Sequence, residues 1–349
     1  MKRPSGDVAK LAIYFLSAFL LAALVTPWLW NAGKFLAEFT AGGSENDLLD
    51  SIGASARKAD FPTYFKRALL LSGVLLLIPL ISALKLGRRI PPLANSPWSI
   101  YLPRHTVAQA GGQPLRNPRN GWIHLLTGFL LAGGFLFIMG IILVSLGKFG
   151  WEEEIDWLDA TQSAMGTAIG ASLVEELVFR GMLLGIFLRT FRPAWAIVLL
   201  SVLFSLLHFL QPPDELQVSD PESALAGFEM LKLLGMRLLD PIPFINEFFT
   251  LLVIGIILAY ARYATASLWL PIGLHAGWAF AYKLFDAIAM RTESDGANTS
   301  ILVGPDIKSG LIPVATLAVT AILVHLFTRV VQTDEEKSLK AQLTDTAME

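Results

Sequence analysis

An all-α, polytopic membrane bundle of about eight transmembrane helices is the fold class this sequence predicts. Three observations carry the prediction. Hydrophobic residues make up 54% of the 349 residues and charged ones only 16%, against about 25% charged in a soluble protein. Eight apolar segments approach the roughly 20 residues a helix needs to cross a bilayer. The connections between them alternate in charge, as cytoplasmic and outer loops do.

The segments lie near residues 11–31, 67–86, 122–147, 161–188, 194–211, 244–263, 266–289 and 309–331. The first follows Lys2, Arg3 and Lys10. Its apolar run exceeds the roughly 7–15 residues of a signal-peptide core, and no clean small-x-small cleavage site follows, so it is expected to be an anchor. The connection Lys85 to Arg119 carries six Lys or Arg and no acidic residue, which predicts a cytoplasmic loop. Glu152, Glu153, Glu154, Asp156 and Asp159 then predict an outer connection, Arg189 and Arg192 an inner turn, and the acidic 212–243 stretch an outer loop. Arg262 reads as inside, 290–308 as outside and the tail after Arg329 as inside. Eight spans with both termini in the cytoplasm satisfy every loop, in a protein expected in the cell (inner) membrane of a bacterium-like cell.

Three regions are expected: 1–150, N-terminal spans and the basic loop; 151–290, a core of four spans holding the chemistry; and 291–349, the last span and a polar tail. Residues 32–66 read as a polar surface loop with some helix, and Leu225–Leu239 as amphipathic enough to lie along the membrane surface. The net charge of −2 and the scattered basic residues give no nucleic-acid-binding face. With no cysteine, disulfides and thiolate metal sites are excluded.

The chemistry starts at Ala171-Ser-Leu-Val-Glu-Glu-Leu-Val-Phe-Arg-Gly-Met182, where Glu175, Glu176 and Arg180 interrupt an apolar helix. One ionised side chain at the centre of a span costs about 2.5–3.5 kcal/mol. Three in six residues must therefore face partners inside a bundle, and such groups mark functional sites. Glu176 and Arg180 are four apart and share a helix face, so they are expected to pair. Glu175 points about 100° away and is not tied up by Arg180, which suits a general base or acid. Gly166-x-x-x-Gly170 and Gly181-x-x-x-Gly185 are expected to let neighbouring backbones approach. The plain alternative is a buried network that only fixes packing.

Two histidines complete the set. His208 ends the fifth segment, with Phe204 one turn before it and Pro212-Pro213 just after. His275 sits in Ser267-Leu-Trp-Leu-Pro-Ile-Gly-Leu-His275-Ala-Gly-Trp-Ala279. There Pro271 is expected to free carbonyls, and Gly273 and Gly277 to admit a neighbouring helix. His105 lies in the basic loop, His124 and His325 lack acidic or polar companions nearby in sequence, and all three are read as structural.

The ordered set Glu-Glu-x-x-x-Arg, Phe-x-x-x-His and a Ser-Leu-Trp-x-Pro-x-x-x-His on successive spans resembles the CPBP family over roughly residues 160–285. These are the CAAX-protease, bacteriocin-processing (Abi) membrane peptidases, also called type II CAAX endopeptidases. The resemblance implies that Glu175 activates a water for attack on a peptide carbonyl and that His208 helps orient it. It implies that Glu176 and Arg180 hold the site together and that His275 stabilises the oxyanion. A zinc ion held by Glu175, His208 and His275 and a metal-free glutamate mechanism stand equally open, since no compact His-Glu-x-x-His element is present. One departure is Ala279, where the family commonly carries Asn or Asp; Trp278 or Tyr282 is the candidate substitute.

The implied function is an intramembrane endopeptidase cutting near the membrane-anchored end of a protein or peptide, with membrane lipid as its surroundings and no nucleic-acid partner. The alternatives are a catalytically silent scaffold or immunity protein and, last, an ion-coupled transporter, for which no inverted repeat is found.

Overall fold

The computed structural model describes residues 5–43, 46–84, 121–210, 212–213, 216–237, 239, 241–292, 307 and 310–346. The basic connection from Lys85 to Arg119, with His105, lies outside these residues, as do Lys2, Arg3 and most of 290–308. Along the chain run α1 (Ser5–Phe39), α2 (Asp47–Lys58), α3 (Phe61–Leu84), α4 (Gly121–Ser145), β1 (Phe149–Trp151) and α5 (Trp157–Glu176). A π-helical turn follows (Leu177–Leu183), then α6 (Leu184–Thr190), α7 (Pro193–Phe209), α8 (Ala226–Arg237), α9 (Pro241–Thr265), α10 (Trp269–Ile288), β2 (Ala289–Arg291) and α11 (Leu311–Thr346).

Each of the eight apolar segments is helical, and the protein is an all-α, multi-pass membrane bundle. Among the described residues, five helices are long and apolar enough to cross: Gly6–Phe39, Phe61–Leu84, Gly121–Ser145, Phe248–Thr265 and Leu311–Val330. The expected count of eight is therefore not reached by length and composition. Helix α7 has only 17 residues, about 26 Å against a hydrocarbon core of about 30 Å. The other two carry the polar chemistry: α5 with the turn and helix after it, and α10.

The chain forms two compact units, Met1–Arg88 with Leu206–Phe244, and Arg89–Ser205 with Ile245–Glu349. In the first, α1 and α3 pack through Ala22, Ala23, Phe65 and Ala68. The 32–66 stretch, expected to be mostly loop, is mostly helix. Asn46 caps α2 by accepting from the Leu48 and Leu49 amides, and Lys34 holds its other end by donating to the Ala59 carbonyl at 2.9 Å. The amphipathic 225–239 stretch does form a helix, α8. However, Met230 and Leu234 turn their apolar face into the α1–α3 core, and Gly227 lets α8 touch the Ala23 carbonyl.

In the second unit α4 and α10 pack backbone to backbone. A Cβ at Gly128 would come within 2.8 Å of the Leu270 carbonyl oxygen, and one at Gly133 within 3.0 Å of the Gly277 oxygen. Cβ atoms at Gly273 and Gly277 would run into the Leu125 and Phe129 carbonyls. Gly273 and Gly277 thus admit a neighbour, as their spacing predicts. Pro271 does something different. It falls in the first turn of α10, where a helix needs no amide donor, so it breaks no hydrogen bond.

Helix α5 starts at an Asp156 cap that accepts from the Leu158 and Asp159 amides. Its buried face is a ridge at four-residue spacing, Ala160, Ala164, Ala168, Ser172 and Glu176, which continues to Arg180. Of the glycines expected to pack, Gly181 and Gly185 are buried, whereas Cβ atoms at Gly166 and Gly170 would meet nothing within 4 Å. They lie off that ridge, and alanine alone is small enough for the α5–α10 contact. The strands β1 and β2 pair antiparallel, Gly150 opposite Met290, and tie the start of the α5 segment to the end of α10. The polar tail after Gln332 continues α11 to Thr346.

Two outcomes follow. Gly273→Ala should lower folded yield and thermal midpoint in detergent, by about 1–3 kcal/mol of overpacking, because a carbonyl cannot rotate away; Gly166→Ala should change neither. In the first unit the Ser219 hydroxyl and amide donate to the Glu229 carboxylate at 2.6 and 3.0 Å and hold it below the usual carboxylate range. That contribution is complete above about pH 4.3, the unfolded value, and is lost as pH falls through the lower folded value. In acid titrations monitored by unfolding, Glu229→Gln should flatten this part of the curve.

Candidate active site

The site is built by two helices of the second unit. The last turn of α5 supplies Glu175 and Glu176, the π turn supplies Arg180, and the second turn of α10 supplies His275. Glu176 and Arg180 are both fully buried, with Arg180 Nη1 donating to Glu176 Oε1 at 2.7 Å. Their pairing is the one their spacing predicts. The same oxygen lies 2.8 Å from His275 Nδ1. A carboxylate held by a guanidinium is an ionised acceptor, so Nδ1 is the donor and the ring is fixed with a proton on that nitrogen. Its other nitrogen, Nε2, faces Glu175 Oε2 across 3.9 Å. That is too long for a direct hydrogen bond but spans a shared third partner.

Burial grades outward. Glu176 and Arg180 are sealed, while the His275 side chain is 12% exposed and that of Glu175 is 24% exposed. The carboxylate that spacing leaves out of the ion pair is also the more exposed of the two. Along α10, His275 is about 9 Å from the Trp269 end and about 20 Å from the Ile288 end.

Three further residues surround the Arg180–Glu176–His275 contacts. Phe204, one turn before His208, packs against His275, with ring centroids 6.3 Å apart. It also lies 4.4 Å from the Arg180 guanidinium carbon, a cation–π contact in a dry setting. Gly255 accepts from Arg180 Nη2 at 3.4 Å, and Arg262 Nε donates to the Arg180 carbonyl at 3.3 Å. Arg262, read as an inside loop charge, is 5% exposed. Phe204 was visible in its motif, whereas nothing local in the sequence ties Gly255 or Arg262 to residue 180.

His208 lies in the last turn of α7, within the part of the chain assigned to the first unit. Trp278 is buried in an apolar cluster with Leu270, Leu274 and Leu258, and Tyr282 is half-buried beside Phe149 and Phe285. His325 does have a polar companion: its Nδ1 is 2.6 Å from the Tyr260 hydroxyl. His124 is buried edge-on to Phe327.

Among the described residues no three His, Asp or Glu side chains form a group that could hold a metal. Within this unit Glu176 Oε1 already takes Arg180 and His275, while Glu176 Oε2 has no hydrogen-bond partner and His275 Nε2 faces Glu175.

Removing one partner of a sealed ion pair strands the other, at about 3–5 kcal/mol. Arg180→Met should therefore lose stability of that order in reversible unfolding, and Glu176→Leu combined with Arg180→Met should recover part of it while remaining inactive.

Residues 157–281 match the family model described as Type II CAAX prenyl endopeptidase Rce1-like. No curated protein and no solved structure matches the chain. The matched segment runs from the first residue of α5 to beyond the second turn of α10 and so takes in Glu175, Glu176, Arg180, His208 and His275. Over residues 157–281 this chain is therefore similar to the type II CAAX prenyl endopeptidase Rce1-like family.

Proposed function

We propose that the chain is an intramembrane endopeptidase that hydrolyses a peptide bond near the membrane-anchored end of its substrate, with Glu175 activating the attacking water. The family supports CAAX-type membrane proteolysis in general. The observation that carries the finer reading is the division of labour between adjacent glutamates. Glu176 is consumed by Arg180 and His275, while Glu175 stays within reach of substrate, opposite His275 Nε2.

In this reading a water sits within hydrogen-bond reach of Glu175 and His275 Nε2. Glu175 takes one proton as the water oxygen bonds to the scissile carbonyl carbon, and the carbonyl π electrons move to oxygen. His275 donates from Nε2 to that oxyanion, a pre-placed donor in a low-dielectric site. Because Nδ1 already donates to Glu176, Nε2 can donate only from the doubly protonated ring. As the C–N bond breaks, Glu175 returns its proton to the leaving amine, so protons balance over the cycle.

Glu176 orients His275, and Arg180 keeps Glu176 ionised. His208 enters through the sequence resemblance, as a second group that orients the water. Location in the inner membrane with cytoplasmic termini belongs to the same reading and rests on the loop charges. Ala279 favours the second reading, a silent scaffold, because no amide follows His275 on its face. Tyr282, seven residues beyond His275 and so nearly on its face, is the better substitute donor than Trp278, which is enclosed in an apolar cluster.

The test compares protein and peptide termini in cells carrying wild type and Glu175→Gln at matched expression. New termini present only with wild type are expected, with a loss of about 10²–10⁴-fold in turnover once a substrate is purified. Identical termini, with the variant still rescuing a deletion phenotype, would establish the scaffold instead. His208→Gln and Tyr282→Phe should each lower turnover in folded protein; unchanged turnover removes that residue from the mechanism.

A further inference from the structure

Arg180 is gripped at both ends by one helix. Its guanidinium donates to the Gly255 carbonyl and its own carbonyl accepts from Arg262 Nε. Gly255 and Arg262 are seven residues apart on α9, within about 20° of the same helix face. The reason a carbonyl needs an outside donor lies in the turn that carries it. Within Leu177–Leu183 the helix widens to five-residue hydrogen-bonded rings, and the Leu184 amide bonds to the Phe179 carbonyl. Returning to four-residue spacing skips one carbonyl, and the next in line is that of Arg180. An unmatched carbonyl in hydrocarbon costs several kcal/mol, and Arg262 Nε supplies the missing donor.

Gly255 is also the only residue type that its place allows. A Cβ there would come within 2.9 Å of the Ser201 Cβ on α7, so the glycine brings α9 close enough for its carbonyl to reach Arg180. Both contacts act on the residue that fixes Glu176, and through Glu176 the His275 ring.

We infer that Arg262, with Gly255, is a positioning device for this site: it locks the π turn in place and thereby sets the Glu175–Glu176–His275 geometry. The consequence for catalysis rests on the peptidase reading above, whereas the lock itself does not.

The experiment uses the full chain in detergent or bilayer discs. It compares wild type, Arg262→Met and Arg262→Lys by hydrogen exchange and, on a substrate identified from the termini, by kcat and KM. Arg262→Met should speed exchange of amides in 177–185 by about ten- to a hundred-fold, leaving α4 and the outer half of α10 unchanged. It should lower kcat by on the order of 10²-fold, the cost of a small misplacement, at nearly constant KM. Arg262→Lys, which keeps one donor and the charge, should recover part of both.

Unaltered exchange at 177–185 in Arg262→Met would overturn the lock. Faster exchange spread evenly over the second unit, without recovery in Arg262→Lys, would make Arg262 a general stabiliser and overturn it as well. Local exchange with kcat unchanged would refute the positioning role. Local exchange in a protein whose wild type cleaves nothing would uphold the lock and refute the peptidase reading.

Discussion

A guanidinium and a carboxylate sealed together inside a membrane bundle, Arg180 with Glu176, constrain nearly everything else in the second unit. Neither can be exposed to lipid, and neither can lose the other without leaving a buried charge. The surrounding structure meets that demand from several directions. Phe204 offers its ring face to the cation, Gly255 a carbonyl, and His275 a proton to the carboxylate. The reactive geometry follows from satisfying the pair, since the same contact that neutralises Glu176 also fixes which nitrogen of His275 carries its proton.

Small residues make this arrangement attainable. The α5 ridge of Ala160, Ala164, Ala168 and Ser172 lets α5 lie close against α10, so that the next two ridge positions, Glu176 and Arg180, arrive at His275. On the far side Gly128, Gly133, Gly273 and Gly277 allow α4 to press on α10 backbone to backbone, which anchors the helix that presents His275. Association without a hydrophobic drive depends on such close packing. The apolar mass of the protein is therefore scaffolding for a handful of polar contacts, and its precision sits in residues with little or no side chain.

Neighbouring glutamates come to hold different roles through burial and partners alone. Glu176 is enclosed and doubly hydrogen-bonded at one oxygen; Glu175, one residue earlier, is a quarter exposed and faces an imidazole nitrogen. A helix turns about 100° per residue, so adjacent identical side chains meet unlike surroundings. That single rotation separates the group that holds the site from the group proposed to do the chemistry.

Much of this was legible in the chain itself. Helical class and membrane residence follow from apolar run length, and the Glu176–Arg180 pair follows from four-residue spacing; both are local properties. Gly273 and Gly277 likewise announce a close neighbour, though not that it would be α4. What required tertiary structure is whatever depends on who faces whom across tens of residues. Gly166 and Gly170 carry the same small-x-x-x-small signal yet lie on an open face, because the ridge that packs is set by α10. Pro271 was expected to free carbonyls and proved to be a first-turn residue, where a helix needs no amide donor. Arg262 read as a loop charge and is instead buried against a backbone carbonyl 82 residues earlier. Sequence fixes which side chains are costly in lipid, since cost is intrinsic to each group; only the assembled bundle decides which partner meets that cost.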